Sequence, residues 1–243
     1  MAKAIRQAIS ETFGFEPICI NSALVSAQNR QRLYWVGKQN EDGTYSKVAV
    51  QQPENRGILL KDIIDGADLT NCEKSYCLTA GYNGACAWNT IERHQRSMVA
   101  EPVDVTAGGK AQCMRSTCYK DDIRNIAGSN IDRKTGIAEP VVFDGNIPIE
   151  AISTTDGKAY TVYEVKGGQI TIKGKTYPIK LVDGYYIIRK LTVSECKRLQ
   201  TVPEWYQFPV SNTQAYKMLG NGWTVDVIAH LIEATKDKDK SSN

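Results

Sequence analysis

Between residues 73 and 187 the chain has almost no helical periodicity, although both of its ends do. That contrast limits what it can fold into. Residues 1–13 place Ala4, Ile5, Ala8, Ile9 and Phe13 at helical spacing, and Gly14 supplies a stop. "PICIN" (17–21) and "LYWVG" (33–37) are short apolar runs rich in strand formers, so they read as two buried strands. Helix returns after residue 188. "LTVSECKRLQTVP" (191–203) sets Glu195 three positions after Thr192, a capping-box spacing, and Pro203 closes the segment. "NTQAYKMLGNGWTVDVIAHLIEAT" (212–235) carries a Gly-Asn-Gly interruption and then an apolar helix from about Val225. Neither outer piece alone is large enough to bury a core. The pattern therefore predicts a discontinuous α/β architecture. Residues 1–37 and 188–243 meet in space, and residues 38–187 form an inserted, irregular β-rich region.

Within that insertion "KQNEDGTYSK" (38–47) is a turn-rich linker, and "ILLKDII" (58–64) reads as one helix. A weak repeat follows. "VAEPV" (99–103) recurs as "IAEPV" (137–141), and related starts precede them at "KSYC" (74–77), "KAQC" (110–113) and "KAYT" (158–161). The units are too unequal for a regular solenoid. Clearer strands end the region at "AYTVYEV", "GQITIKG" and "KTYPIKL".

The 243 residues carry a net charge of +3, too little to demand a polyanionic partner, so local basic patches matter more than the total. No apolar run is long enough to span a membrane, and the N-terminus lacks the apolar stretch of a secretion signal. Seven cysteines, an odd number at irregular spacing, do not form a disulfide framework. These features predict a cytoplasmic chain with reduced thiols. Cys72 with Cys77, and Cys113 with Cys118, approach zinc-site spacing. The repeat explains Cys77 and Cys113 more simply, as equivalent positions, so no metal is expected. His94 and His230 have no evident ligand partner.

"SAQNRQRLYWVG" (26–37) places Gln28, Arg30 and Arg32 at every second position, on one side of an extended chain. Alone this could be a solvated link between two strands. Together, "QNRQR", "RKLTVSECKRLQTVP" and "QAYKMLGNGWTVDVI" resemble the last three motifs of the DNA cytosine-5 methyltransferases, in the family's order. The long region between the first and second lies where that family places its target-recognition domain. The resemblance implies a Rossmann-like catalytic sheet that residues 1–37 and 188–243 help to complete, with residues 38–187 as the recognition domain. It also marks what is absent. The family's Gly-rich loop, Pro-Cys-Gln nucleophile loop and Glu-Asn-Val acid have no counterpart here, and no Pro-Cys dipeptide occurs. The chain thus resembles the C-terminal portion of such an enzyme, expected to be inactive without an N-terminal methyltransferase segment or subunit.

The implied chemistry needs a flipped cytosine, a cysteine adding at carbon 6 and a methyl group from S-adenosyl-L-methionine. By the resemblance Arg32 contacts the O2 edge of the base, where charge develops. Arg30 and Gln28 brace the nucleophile loop or the DNA backbone, a task suited to a guanidinium fork. By the same resemblance, which matches "GNGW" to the family's last motif, Asn221, Gly222 and Trp223 are the candidate cofactor contacts, and glycine permits the close backbone approach; the plainer reading is a helix break with Trp223 in the core. Arg189, Thr192, Glu195 and Arg198 are structural by the same resemblance.

For double-stranded DNA, "IERHQRSM" (91–98) concentrates Arg93, His94, Gln95 and Arg96. Arginine and glutamine suit guanine and adenine edges, although phosphate contacts are commoner. Lys120 and Arg124 in "CYKDDIRN" (118–125), with Arg133 and Lys134 nearby, form a second candidate set. Ordinary solvated charge accounts for any one of these equally well. Two other functions fit the pattern: a non-catalytic, sequence-specific DNA-binding module or regulatory subunit, and an RNA cytosine methyltransferase, which the long recognition region suits less.

Overall fold

Residues 3–103 and 150–236 are described by the structure, a computed structural model, and they divide into two units, each assembled from separated stretches of sequence. The first unit comprises residues 1–64, 72–97 and 191–243, the second residues 65–71 and 98–190. Residues 38–64 and 72–97, which the sequence pattern groups with the insertion, therefore belong with both chain ends.

In the first unit the periodic start forms α1 (Lys3–Phe13), which stops at Gly14 with φ +76°. Strands β1 (Ile18–Asn21) and β2 (Gln31–Tyr34) pair antiparallel, with Ile20 opposite Arg32. Arg32 thus lies within a strand, not in a polar link before it. A small hairpin follows, β3 (Gly37–Gln39) with β4 (Tyr45–Lys47). "ILLKDII" is not a helix. Only Leu60–Asp62 forms a single 3-10 turn, because the Leu60 N–H is drawn to Glu73 O at 2.7 Å and Asp62 turns back to accept from Leu59 N. Helix α2 (Ala87–Arg93) lies where the sequence shows little helical period. Its seven residues are too few to display one.

The second unit is built on antiparallel strands: β5 (Ala67–Asp68), β6 (Met98–Val103), β7 (Glu150–Ile152), β8 (Ala159–Lys166), β9 (Gln169–Ile172), β10 (Lys175–Pro178) and β11 (Gly184–Lys190). Their order is β10-β9-β8-β11-β6-β5, with β7 beside β8. The three strand-like segments of the sequence are β8, β9 and β10. "VAEPV" lies in β6, whereas "IAEPV" and "KAQC" fall outside the described residues. Arg189 is fully buried here. Its Nε donates to Glu101 Oε2 at 3.0 Å, and its Nη2 donates to Asp65 O at 2.7 Å and to Thr155 Oγ1 at 3.1 Å.

The chain re-enters the first unit at Leu191. Helix α3 (Val193–Leu199) starts on the expected capping box: Glu195 N donates to Thr192 Oγ1 at 3.2 Å, and Thr192 N to Glu195 Oε2 at 2.6 Å. Helices α4 (Asn212–Asn221) and α5 (Val225–Lys236) complete it. The break between them falls after Asn221, so Gly220 is helical. The core joins Ile20 and Val25 to Val227 and Leu231 of α5, with Tyr34, Val36 and Val50 around them. His230 is half-buried, and its Nε2 hydrogen-bonds with Gln51 O at 2.9 Å. No described helix is long and apolar enough to cross a membrane.

Candidate active site

The alternation of Gln28, Arg30 and Arg32 brings three side chains to one region, with different environments. Gln28 is wholly buried. Its Oε1 accepts from Leu78 N at 2.6 Å, and its Nε2 donates to Leu199 O at 3.2 Å and reaches Gln200 Oε1 at 3.5 Å. Gln200 continues the chain of contacts. Its Nε2 donates to Leu219 O at 2.6 Å, and its Oε1 accepts from Thr224 Oγ1 at 3.0 Å. Thr224 in turn meets Ser22 Oγ at 2.7 Å. This fully buried run ties β1's end to α3, α4 and α5. Every member has a partner, which is what low-dielectric burial demands.

Arg30, only 3% exposed, forms the second brace. Nη1 donates to Leu78 O at 2.6 Å and to Cys77 Sγ at 3.4 Å. Nη2 donates to Gly220 O at 3.1 Å and Gly222 O at 2.7 Å, while Nε has no hydrogen-bond partner. One planar fork thus holds the segment 77–78 against the end of α4. Its acceptors are main-chain carbonyls and a thiol, so burial lowers its affinity for a proton, and the Arg32 charge adds to this while Cys77 opposes it. It stays charged, as arginine does in proteins. Gln28 and Arg30 therefore brace segments of this chain, rather than pointing outward to a loop or to DNA.

Arg32 differs. It is exposed on β2. Its Nη1 donates to Gln31 O at 2.7 Å and its Nη2 approaches Cys77 Sγ at 3.6 Å. Of the three it alone presents its guanidinium to solvent.

The turn gripped by Arg30 contains the candidate cofactor residues. Asn221 is exposed, Gly222 half-buried and Trp223 65% exposed, so Trp223 is not a core residue. Gly220 explains why this helix end must lack a side chain. A Cβ there would lie 2.1 Å from Thr79 C and 2.3 Å from Ala80 N. Two concavities of the first unit, of about 350 and 250 Å³, are lined by other residues.

Among the expected DNA contacts, Arg93 and Gln95 are exposed. The Arg93 guanidinium stacks 4.4 Å above the half-exposed Trp88 ring. Arg96 turns inward instead. With φ +58°, it sends Nη1 to Gly84 O at 2.9 Å and closes the 81–84 loop. Lys120 and Arg124 lie outside the described residues. Cys72 and Cys77 are free thiols, and no group among the described residues could hold a metal ion.

Residues 8–237 fit the model of the C-5 cytosine-specific DNA methylases. The chain belongs to that family.

Among relatives of this chain, the type II methyltransferase M1.ScrFI of Lactococcus lactis subsp. cremoris is 32% identical over 47% of this chain and 31% of its own. The type II methyltransferase M.NlaX of Neisseria lactamica is 46% identical over 20% of this chain and 15% of its own. The type II methyltransferase M.MspI of Moraxella sp is 32% identical over 32% of this chain and 20% of its own. The matches thus span less than a third of each relative's length.

Three residues of this cluster are not singled out in the sequence: Cys77, and Gln200 and Thr224, although the last two lie within the quoted motifs. Cys77 sits in the sequence as one of a repeated pair. Its position became visible only when Ser75 N bonded Ala27 O at 2.7 Å and Asn29 N bonded Ser75 O at 2.9 Å, laying 75–78 alongside Gln28–Arg30. Gln200 carries a signal, as the last residue of the R-x-L-T-x-x-E-x-x-R-L-Q run.

Proposed function

We propose that this chain is the part of an S-adenosyl-L-methionine-dependent DNA (cytosine-5-)-methyltransferase that holds the target base and reads the DNA. The observation that carries the reading is the split fate of "QNRQR". Two members lock the frame, and the third, Arg32, is held at its edge with donors facing solvent. A flipped cytosine offers its O2 to such a donor. As negative charge builds on the ring, an oriented guanidinium stabilises it without reorganising. Arg30 contributes by keeping β2 and the end of α4 in fixed register.

The methyl donor supplies an electrophilic methyl group for carbon 5. The residues at the α4–α5 turn suit one wall of its site. Trp223 offers an exposed indole face for an adenine, and Asn221 an exposed amide for a polar edge. Arg30 holds the Gly222 carbonyl, so this turn is firm. The opposite wall and the attacking cysteine belong to a segment bearing the Gly-rich and Pro-Cys-Gln motifs, on this or another polypeptide. The second unit, residues 65–71 and 98–190, supplies target recognition on double-stranded DNA.

The test is methyl transfer from labelled S-adenosyl-L-methionine to duplex DNA. This chain alone should give none, and the chain mixed with a segment bearing those two motifs should give transfer that Arg32→Ala abolishes. Transfer by this chain alone, or transfer in the mixture that survives Arg32→Ala, overturns the assignment. Salt-dependent, sequence-selective binding with no transfer in any mixture identifies a non-catalytic DNA-binding module instead.

A further inference from the structure

We infer that Cys77 is a positioning residue for Arg32, a link that fixes the exposed guanidinium to the buried frame. The inference rests on the reading of Arg32 as the base contact. Its geometry stands by itself. Cys77 Sγ lies 3.4 Å from Arg30 Nη1 and 3.6 Å from Arg32 Nη2, and its own S–H is directed to Leu78 O at 3.6 Å. The thiol hydrogen therefore points to a carbonyl, and the sulfur lone pairs face two guanidinium groups. Arg30 cannot shift, because it also grips Leu78 O, Gly220 O and Gly222 O. The sulfur inherits that rigidity and passes it to Arg32.

The choice of a sulfur acceptor matters. An arginine on an exposed strand loses considerable rotamer entropy when it is ordered. Ordering it in advance removes that cost from base binding. A carboxylate at position 77 would also order Arg32, but would hold it by a strong charged bond. A thiol accepts only weakly. It aligns the guanidinium and yields it to a better acceptor, such as a base carbonyl or a phosphate.

Two measurements on the full chain decide this. The first needs no DNA: the ¹⁵N order parameter of Arg32 Nε–H in wild type, Cys77→Ser and Cys77→Ala. Wild type and the serine variant, which keeps a donor and acceptor, should remain ordered, and the alanine variant should drop below about 0.6, the range of flexible groups. An unchanged value in Cys77→Ala overturns the inference. The second uses a duplex selected by wild-type protein from a pool with a randomised centre. Cys77→Ala should weaken binding roughly three- to tenfold, the size of one modest hydrogen bond, with no further loss in an Arg32→Ala background. Cys77→Ser should bind within about twofold of wild type. Equal loss with and without Arg32 overturns the link between the two residues. A pool that yields no enriched duplex counts against the DNA reading, and the order parameter still decides the role of Cys77.

Discussion

A guanidinium held by three main-chain carbonyls and one left on an exposed strand face differ in what their loss should do. Arg30→Lys keeps the charge but not the fork, so at least one of Leu78 O, Gly220 O and Gly222 O loses its donor in a buried place. Charge-assisted hydrogen bonds contribute about 1.5–3 kcal/mol each, so urea denaturation should show a loss of at least about 2 kcal/mol. Arg32→Ala should stay within about 0.5 kcal/mol of wild type in the same assay, as exposed substitutions do, while eliminating methyl transfer in the complemented mixture. The reverse ordering of the two variants would contradict the division of labour. In the second unit, Glu101 has a comparable duty toward the buried Arg189. Burial pushes the Glu101 carboxyl up, but hydrogen bonds from Thr154, Ser153 and Arg189 outweigh it and hold it below the ordinary carboxylate range. A carboxyl lowered in the folded state contributes stability above its unfolded value, and that contribution is lost as pH falls through the folded value. Denaturation midpoints should therefore decline below about pH 4.5. Glu101→Gln should flatten this decline and cost about 1.5–3 kcal/mol at neutral pH, because the charge-assisted hydrogen bond from the buried Arg189 is weakened.

At the scale of elements, α3 and α4 owe their positions to a cap and a glycine. Thr192→Ala removes the capping hydroxyl and should cost about 1 kcal/mol in thermal or urea unfolding. Gly220→Ala should cost more, about 1–3 kcal/mol, because the new methyl meets rigid backbone at Thr79 and Ala80 and α4 must retreat. A Gly220→Ala protein as stable as wild type would show that α4 does not approach the backbone at Thr79 and Ala80. These two features also mark how far the sequence could be read. The Thr192–Glu195 box was legible because capping is local, depending on residues three apart. The strands β8 to β10 were legible because β-branched and aromatic residues recur between glycines. The place of Gly220 was not, since what demands a glycine there lies 140 residues upstream in sequence. The 3-10 turn at Leu60–Asp62 was misread as a helix for a related reason: an apolar run does not reveal that Glu73 will take one of its N–H groups. Within "QNRQR" the alternation correctly brought three side chains to one region. It carried no information on which would be buried, because that depends on the return of residues 75–78 and 199–222.

At the scale of the whole molecule, α5 presents apolar side chains on a second side as well. Val227 and Leu231 are buried against Ile20 and Val25. On another side Val225, Ala229 and Ile232 are exposed at positions i, i+4 and i+7, and Ile232 is 51% exposed. A helix apolar on more than one side belongs between two layers. Beside it, among the described residues, β1 and β2 form a two-stranded sheet, which is marginal by itself. On the function proposed above, this is where the nucleophile-bearing segment would complete the catalytic layer. Light scattering on the purified chain should therefore show association that grows with concentration. Ile232→Glu should reduce it, since a charge on an exposed helix face disturbs little within the chain but opposes burial against another apolar surface. The same substitution should weaken complementation by the nucleophile-bearing segment, while Glu233→Gln on the same helix should leave both unchanged. A wild-type chain that stays monomeric at every concentration, together with an Ile232→Glu variant that complements as well as wild type, would show that this face of α5 is an ordinary surface.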